Sequence, residues 1–211
     1  MLTNTQAILI KKMQHSTPAP TFTVGILLAG GFSRRFGPQN KLTQRLPDGE
    51  ILGIRAAQTL IAALPESIAV VREEAPDFTA SVAALGYRVV NCNAAHQLMA
   101  DSLKLGIASA QAAFPRLSGL VIALADMPFI QSETIRLVAD GLARADIVQP
   151  VMQGQPGHPV GFASRLIPEL MTIEGDQGAR DVLRAHQADI LRLECQDSGI
   201  LKDIDTPADL A

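Results

Sequence analysis

Short aliphatic runs alternate along this chain with segments whose apolar residues recur at helical spacing. Val24-Gly25-Ile26-Leu27-Leu28-Ala29 is a continuous apolar run ending in Gly30-Gly31, the pattern of a strand buried on both faces. Ile54, Ile61 and Leu64 lie on one side of a helix over 51–64, and 67–71 reads as the next strand. Phe78, Val82 and Leu85 mark a short helix closed by Gly86 as a left-handed cap, before a strand over 87–92. Met99, Leu103, Ile107, Ala110 and Phe114 form a 3.6-period stripe, and 120–125 is a second fully apolar strand. Ser132 is placed to cap a helix facing inward through Ile135, Val138 and Leu142. Strands over 145–150 and 160–163 flank a Gly- and Pro-rich connection. Helices over 165–171 and 178–186 and a strand over 190–193 follow. Thr206-Pro207-Ala208-Asp209 sets a cap, an N1 proline and an N3 acid in order, starting a last helix. Such alternation predicts an α/β fold: three-layer and Rossmann-like, with a mostly parallel sheet and helices on both faces.

Residues 1–22, ending in a Ser/Thr/Pro-rich stretch, read as an irregular N-terminal extension, with Met13 an alternative start; 23–211 reads as a single domain. At 211 residues the chain buries about 70% of its unfolded surface without staples. A net charge of −3 leaves no cationic excess for a nucleic-acid backbone. No apolar run reaches the roughly 18 residues of a membrane span. The run 7–10 is too short for a signal segment, and Lys11-Lys12 follow rather than precede it. Cys92 and Cys195 stand apart, as reduced thiols in a cytoplasmic protein would.

Ligands of such sheets sit beyond the carboxyl ends of the strands. The first such loop runs from Gly30 and Gly31 through Arg34 and Arg35 to Asn40 and Lys41. Its glycines let backbone N–H groups approach a ligand, and its cations suit a polyphosphate. It is neither a Walker A loop nor a dinucleotide fingerprint, since neither glycine spacing is present. Asp126 follows the most apolar strand, where an unpaired carboxylate would be expensive. Mg²⁺ is typically held by one or two carboxylates plus substrate phosphates. Asp126 is thus the first metal ligand expected and Asp205 the second, with Asp203 its competitor. Capping is the competing role for both Asp126 and Asp205.

Leu28-Ala29-Gly30-Gly31-x-Ser33-x-Arg35-Phe36-Gly37 followed by Lys41 resembles the L-A-[AG]-G-x-S-x-R-[MF]-G…K signature of nucleotidyltransferases acting on molybdenum cofactor. Met99-Ala100-Asp101-Ser102-Leu103 and onward to Ile107 resembles that family's M-x-x-S-L-x-x-G-[IL] segment. Leu124-Ala125-Asp126-Met127-Pro128 resembles L-x-D-M-P, and Gly157-His158-Pro159-Val160 resembles G-H-P-V. Gly175-Asp176-Gln177-Gly178-Ala179-Arg180 and Asp203-Ile204-Asp205-Thr206-Pro207-Ala208-Asp209 resemble G-D-x-G-A-R and D-I-D-T-P-x-D. Six motifs in order make the set specific. The resemblance implies a fold of the nucleotide-diphospho-sugar transferase type and is nearest the cytidylyltransferase branch. Gly30 and the spacing to Lys41 also occur in the guanylyltransferase branch, where an Asp stands in place of Asn40.

The resemblance implies transfer of CMP from CTP to the terminal phosphate of molybdenum-bound molybdopterin, with Mg²⁺ as cofactor and a molybdenum hydroxylase or its maturation factor as recipient. Leu28, Ala29 and Gly30 would line the base and Ser102 bind it, unless Ser102 is a helix cap. Arg35 and Lys41 would hold the triphosphate and its transition-state charge, with Arg34 beside them or in solvent. His158 is either an acceptor contact or a hydrogen-bonded structural group. Asp176 and Arg180 would order the acceptor pocket. The acceptor, a phosphate monoester with a second pKa near 6, is already largely ionised and needs no general base. Neutralisation and alignment of crowded phosphates are what it needs. Alternatives are a guanylyl or other nucleotidyltransferase with a different phosphorylated acceptor, a non-catalytic nucleotide- or cofactor-binding module and, weakest, a dinucleotide-dependent oxidoreductase.

Overall fold

The computed structural model of the chain describes residues 22–31, 36, 40–96 and 98–210. The expected extension lies outside these residues except for Phe22, which already belongs to the first strand. The strands are β1 (Phe22–Ala29), β2 (Ser67–Arg72), β3 (Arg88–Cys92), β4 (Leu117–Leu124), β5 (Ile147–Met152), β6 (Gln155–Pro156), β7 (Val160–Ala163) and β8 (Ile190–Glu194). The helices are α1 (Leu52–Ala63), α2 (Pro76–Ala84), α3 (Met99–Ala113), α4 (Ser132–Gly141), α5 (Ile167–Leu170) and α6 (Arg180–Ala185). One sheet runs β3-β2-β1-β4-β7-β5, with β6 paired to β5 and β8 added beside β5. β3, β2, β1 and β4 are parallel neighbours, as are β5 and β8. β7 is antiparallel to both β4 and β5.

Alternation along β1 divides the core between two faces. Leu27 and Ala29 pack with Leu52, Ala57 and Leu60 of α1, Phe78 and Val82 of α2, and Ile135 and Val138 of α4. Val24 and Ile26 pack with Leu103, Ile107 and Ala110 of α3, Leu170 of α5 and Val182 of α6. Each fully buried Leu, Ile or Phe contributes about 1.5–3 kcal/mol, so the two clusters hold helices on both faces without a disulfide. None of the helices among the described residues is long and apolar enough to cross a membrane.

The inserted β7 explains how the second half of the sheet reaches the site. β1 and β4 end at one edge, with Leu28 opposite Leu124. Because β7 runs the other way, it begins at that edge, with Val160 opposite Ile122. β6 and β7 form one return strand along β5, but register moves from Val151↔Pro156 to Val148↔Gly161. Five steps on one side against three on the other place two extra residues in the Gly157-His158-Pro159 segment, which bulges toward the mouth.

Several expected boundaries shift. The strand expected over 145–150 is Ile147–Met152, and the helix expected over 165–171 is a 3₁₀ turn, Ser164–Leu166, followed by α5. The helix over 178–186 shortens to Arg180–Ala185, preceded by Gly175 and Gly178 with φ of 75° and 55°. The last helix is a 3₁₀ turn, Pro207–Leu210. Gly86, at φ 101°, follows α2 as expected.

Ser132 does not cap α4; it is the first helical residue, and Gln131 occupies the cap position without a side-chain bond. The capping oxygen comes from Asp197, distant in sequence and buried. Its Oδ2 accepts from Gln131 N (2.8 Å) and Thr134 Oγ1 (2.7 Å), and its Oδ1 accepts from Gly199 N (2.9 Å). At Gly199 even a Cβ would lie 2.0 Å from the Phe129 carbonyl oxygen, so the 198–201 turn is pressed backbone to backbone against the loop after β4. Asp197→Ala strands three donors, two of them in buried bonds, and is expected to lower the unfolding free energy by about 3 kcal/mol. Urea unfolding would show this as a lower midpoint with unchanged slope.

Candidate active site

Three separate segments meet at the carboxyl edge of the sheet. β4 ends at Leu124, and Ala125 N donates to Leu28 O at 3.0 Å, so the turn carrying Asp126 is tied to the end of β1. Lys41 opens a 3₁₀ turn, Lys41–Thr43, whose N-terminus is capped by Asn40 Oδ1 accepting from Leu42 N at 3.0 Å. The C-terminal segment crosses the mouth, where His158 N donates to Ile200 O (3.0 Å) and Ile204 N donates to Asp126 O (2.9 Å). Asp205 follows immediately.

Lys41 Nζ donates to Asp126 Oδ2 at 2.6 Å and to Asp205 Oδ1 at 3.2 Å. Its side chain is 10% exposed, while the carboxylates are 23% and 26% exposed. These three groups carry two negative charges against one positive. Asp126 Oδ1 is buried without a hydrogen-bond partner. An orphaned carboxylate oxygen beside a second carboxylate fits a hard divalent ion, which prefers oxygen ligands. Among the described residues no three His, Cys, Asp or Glu side chains converge as a metal cage. A site with two carboxylates therefore suits an ion that takes its remaining ligands from substrate phosphates and water.

Leu28, Ala29 and Gly30 form the floor beside this cluster. A Cβ at Gly30 would stand 2.8 Å from Ser102 Oγ and 3.3 Å from Cys92 Sγ, so Gly30 lets β1 and α3 approach. Ser102 is buried in the first turn of α3 and is not its cap. That role falls to Asp101, which accepts from Leu98 N at 3.1 Å. The Ser102 hydroxyl instead lies 3.4 Å from Cys92 Sγ, and burial pushes the Cys92 thiol pKa up. Gly31 is exposed at the rim, with space around its Cα. Arg34 and Arg35 lie outside the described residues.

His158 is half-buried in the bulge between β6 and β7, and its Nδ1 is buried without a partner. Burial lowers its pKa; the charges of Asp126 and Asp203 raise it and that of Arg180 lowers it further. The net downward shift keeps the ring neutral at pH 7. Arg180 is exposed at the start of α6, and Asp203 is also exposed. Lys41 pairs with Asp126 and Asp205, so of the two competing acids it is Asp205 that joins the ion cluster.

Asp176 is committed locally. Its Oδ1 accepts from Met99 N at 3.1 Å, and Ala100 N donates to Gly175 O at 3.1 Å, closing the N-terminus of α3. It thereby fixes the 175–180 loop, with Arg180, over the helix that carries Ser102. The sequence reading missed Asp197, whereas Asp209 accepts from Thr206 N as the N3 acid expected there. Asp197 carries no local signal because its partners are 63 and 66 positions away.

The MobA-like NTP transferase domain matches residues 25–190 of this chain. Purine catabolism protein PucB of Bacillus subtilis (strain 168) is 30% identical over 200 residues, covering 88% of this chain and 93% of PucB. Rv0371c from Mycobacterium tuberculosis H37Rv shares 26% identity at a TM-score of 0.76, over 90% of this chain and 96% of its own. The same protein, solved in complex with manganese, aligns at a TM-score of 0.66 and 23% identity over 83% and 89% of the two chains. The 4-diphosphocytidyl-2C-methyl-D-erythritol synthase of Anaerococcus prevotii DSM 20548 shares the fold at a TM-score of 0.71 and 13% identity, over 90% and 93%. The fold is that of the nucleotide-diphospho-sugar transferase type. The chain belongs to the MobA-like NTP transferase family and is a nucleotidyltransferase.

Proposed function

We propose that this enzyme transfers CMP from CTP to the terminal phosphate of molybdenum-bound molybdopterin, releasing pyrophosphate. The observation that carries the transfer chemistry is the Lys41 ammonium held between Asp126 and Asp205 beside the floor of β1. The molybdopterin acceptor and the cytidine base rest on the six motifs from Leu28 to Asp209. An acceptor phosphate oxygen forms a bond to the α-phosphorus. The bond from that phosphorus to the bridging oxygen breaks, and pyrophosphate leaves with the electron pair.

Asp126 and Asp205 would hold Mg²⁺, which supplies charge neutralisation at the triphosphate. That Rv0371c was solved in complex with manganese supports a divalent ion in this reading. Lys41 turns from the carboxylates to the triphosphate oxygens, joined by Arg35 of the same loop. Electrostatic stabilisation of that kind contributes about 10²–10³ in rate per donor. Ser102 and the backbone of Leu28, Ala29, Gly30 and Gly31 would contact the nucleotide. His158, Arg180 and the loop fixed by Asp176 would face the acceptor. The product would pass to a molybdenum hydroxylase or its maturation factor in the cytoplasm.

Gly30 favours one second reading, transfer of GMP, because the guanylyltransferase branch carries glycine there. Against it stands the packing of Gly30 on Ser102, which gives this glycine a steric reason independent of the base. Asn40 likewise is occupied in capping its own turn, a role an Asp would fill equally well.

Pyrophosphate release measured with CTP, GTP, ATP and UTP in competition, with molybdopterin as acceptor, is expected to select CTP; selection of GTP would install the second reading. Asp126→Asn and Lys41→Ala should each reduce turnover by at least about 100-fold while the protein stays folded. Lys41→Ala should also lower Tm, because Asp126 and Asp205 lose the ammonium that both accept from, and Mg²⁺ should restore part of the loss. Near-normal turnover by either folded variant would sink the mechanism. Turnover should fall as pH drops through about 6, where the acceptor phosphate takes up its second proton. Since burial holds His158 neutral above its lowered pKa, His158→Gln should leave that acid limb in place.

A further inference from the structure

We infer that Asp209 is a positioning residue for the metal-binding carboxylate of Asp205, an inference resting on the reading of Asp126 and Asp205 as the metal ligands. Ile204 N donates to Asp126 O at 2.9 Å, which pins the chain at the residue before Asp205. The turn that follows adds a second backbone anchor on the other side of Asp205. Asp209 Oδ2 accepts from Asp205 N (3.0 Å), Thr206 N (2.7 Å) and Thr206 Oγ1 (2.9 Å). Asp209 N donates back to Thr206 O at 3.1 Å. Three donors converging on one oxygen hold the peptide planes on both sides of the Asp205 Cα. With that turn closed, Asp205 Oδ1 stands 3.2 Å from Lys41 Nζ, the atom that also holds Asp126.

Asp209 itself is exposed and makes no hydrogen bond to Lys41 or Asp126 among those the structure records. Its charge interacts with Lys41 at longer range, and its hydrogen bonds reach the site through Asp205; the Asp209→Asn variant, which removes the charge and keeps an acceptor, separates the two. A cap on an exposed 3₁₀ turn holds little of the fold, whereas partners that orient metal ligands typically change metal affinity by about 10–100-fold when removed. These two roles separate experimentally. A helix cap alone alters stability; a positioning residue alters the affinity of the ion.

The test is Mn²⁺ binding to the full chain in the presence of CTP, read by electron paramagnetic resonance of free Mn²⁺, with Tm recorded for each variant. Asp209→Ala is expected to weaken Mn²⁺ binding by about tenfold with Tm little changed, and Asp209→Asn, which keeps an acceptor oxygen, to recover most of the loss. In an Asp205→Asn background, which itself weakens binding, adding Asp209→Ala should cost nothing more, because the two changes act on one ligand. Unchanged Mn²⁺ affinity in Asp209→Ala, or full additivity with Asp205→Asn, would overturn the positioning role while leaving the metal site standing. If Asp205→Asn binds Mn²⁺ as the natural protein does, the reading of Asp205 as a ligand falls, and the role of Asp209 falls with it.

Discussion

Lys41 Nζ lies 2.6 Å from Asp126 and 3.2 Å from Asp205, and these partners stand 85 and 164 positions away in sequence. Two carboxylates cannot share so small a volume at the end of an apolar strand unless a cation lies between them. The surrounding architecture can be understood from that requirement. β1 and β4 must be adjacent and parallel so that the loops carrying Lys41 and Asp126 leave the sheet together. The C-terminal segment must cross the mouth so that Asp205 arrives from above. Where the ammonium lies 10% exposed, its attraction to the carboxylates is less screened than at an open surface.

The crossing segment is held by a series of polar and close-packed contacts rather than by a strand. Asp197 gathers Gln131, Thr134 and Gly199; Gly199 abuts Phe129; Ile200 O accepts from His158 N; Ile204 N reaches Asp126 O. Each contact joins this segment to a loop that leaves the same edge of the sheet. Disturbing Asp197 therefore loosens the α4 terminus and the mouth together. The antiparallel β7 serves the same geometry. A parallel strand in its position would end at the mouth, and its preceding loop would lie at the far side, carrying His158 away from Asp126.

Local pattern disclosed the strands whose neighbours bury them on both faces, because burial leaves uninterrupted aliphatic runs such as 24–29 and 120–124. It also disclosed the helices with strong stripes, α1 and α3, and the loops that follow the strands. Strand order was not legible: nothing in 160–163 distinguishes a strand inserted antiparallel between β4 and β5 from one added at an edge. Ser132 has the right chemistry and position for a cap, but a buried carboxylate from Asp197 outcompetes it, and a partner 66 positions away leaves no local trace. Ser102 was open between cap and ligand contact, and Asp101, one residue earlier, takes the cap. Lys41, Asp126 and Asp205 were nameable from residue type and place after apolar runs. Their direct contact was not, since it depends on Ile204 docking on Asp126.

Charge counting shows why this site is poised rather than complete. Asp126, Asp205 and Lys41 sum to −1, and a divalent ion brings the sum to +1. A bound triphosphate then adds about four negative charges and the acceptor phosphate about two more near neutral pH. Unit charges 4 Å apart still interact by about 4 kcal/mol at an effective dielectric of about 20, so the excess cannot be left to solvent. The chain supplies further cations at two places, Arg34 and Arg35 in the loop before Lys41 and Arg180 at the start of α6. The proposed reading assigns the loop arginines to the nucleotide, and Arg180 acts electrostatically on His158. On the proposed reading, dividing the positive charge in this way would prevent one substrate from collecting all of it. Each phosphate group would then meet a cation of its own, and the two would come together across Asp126 and Asp205.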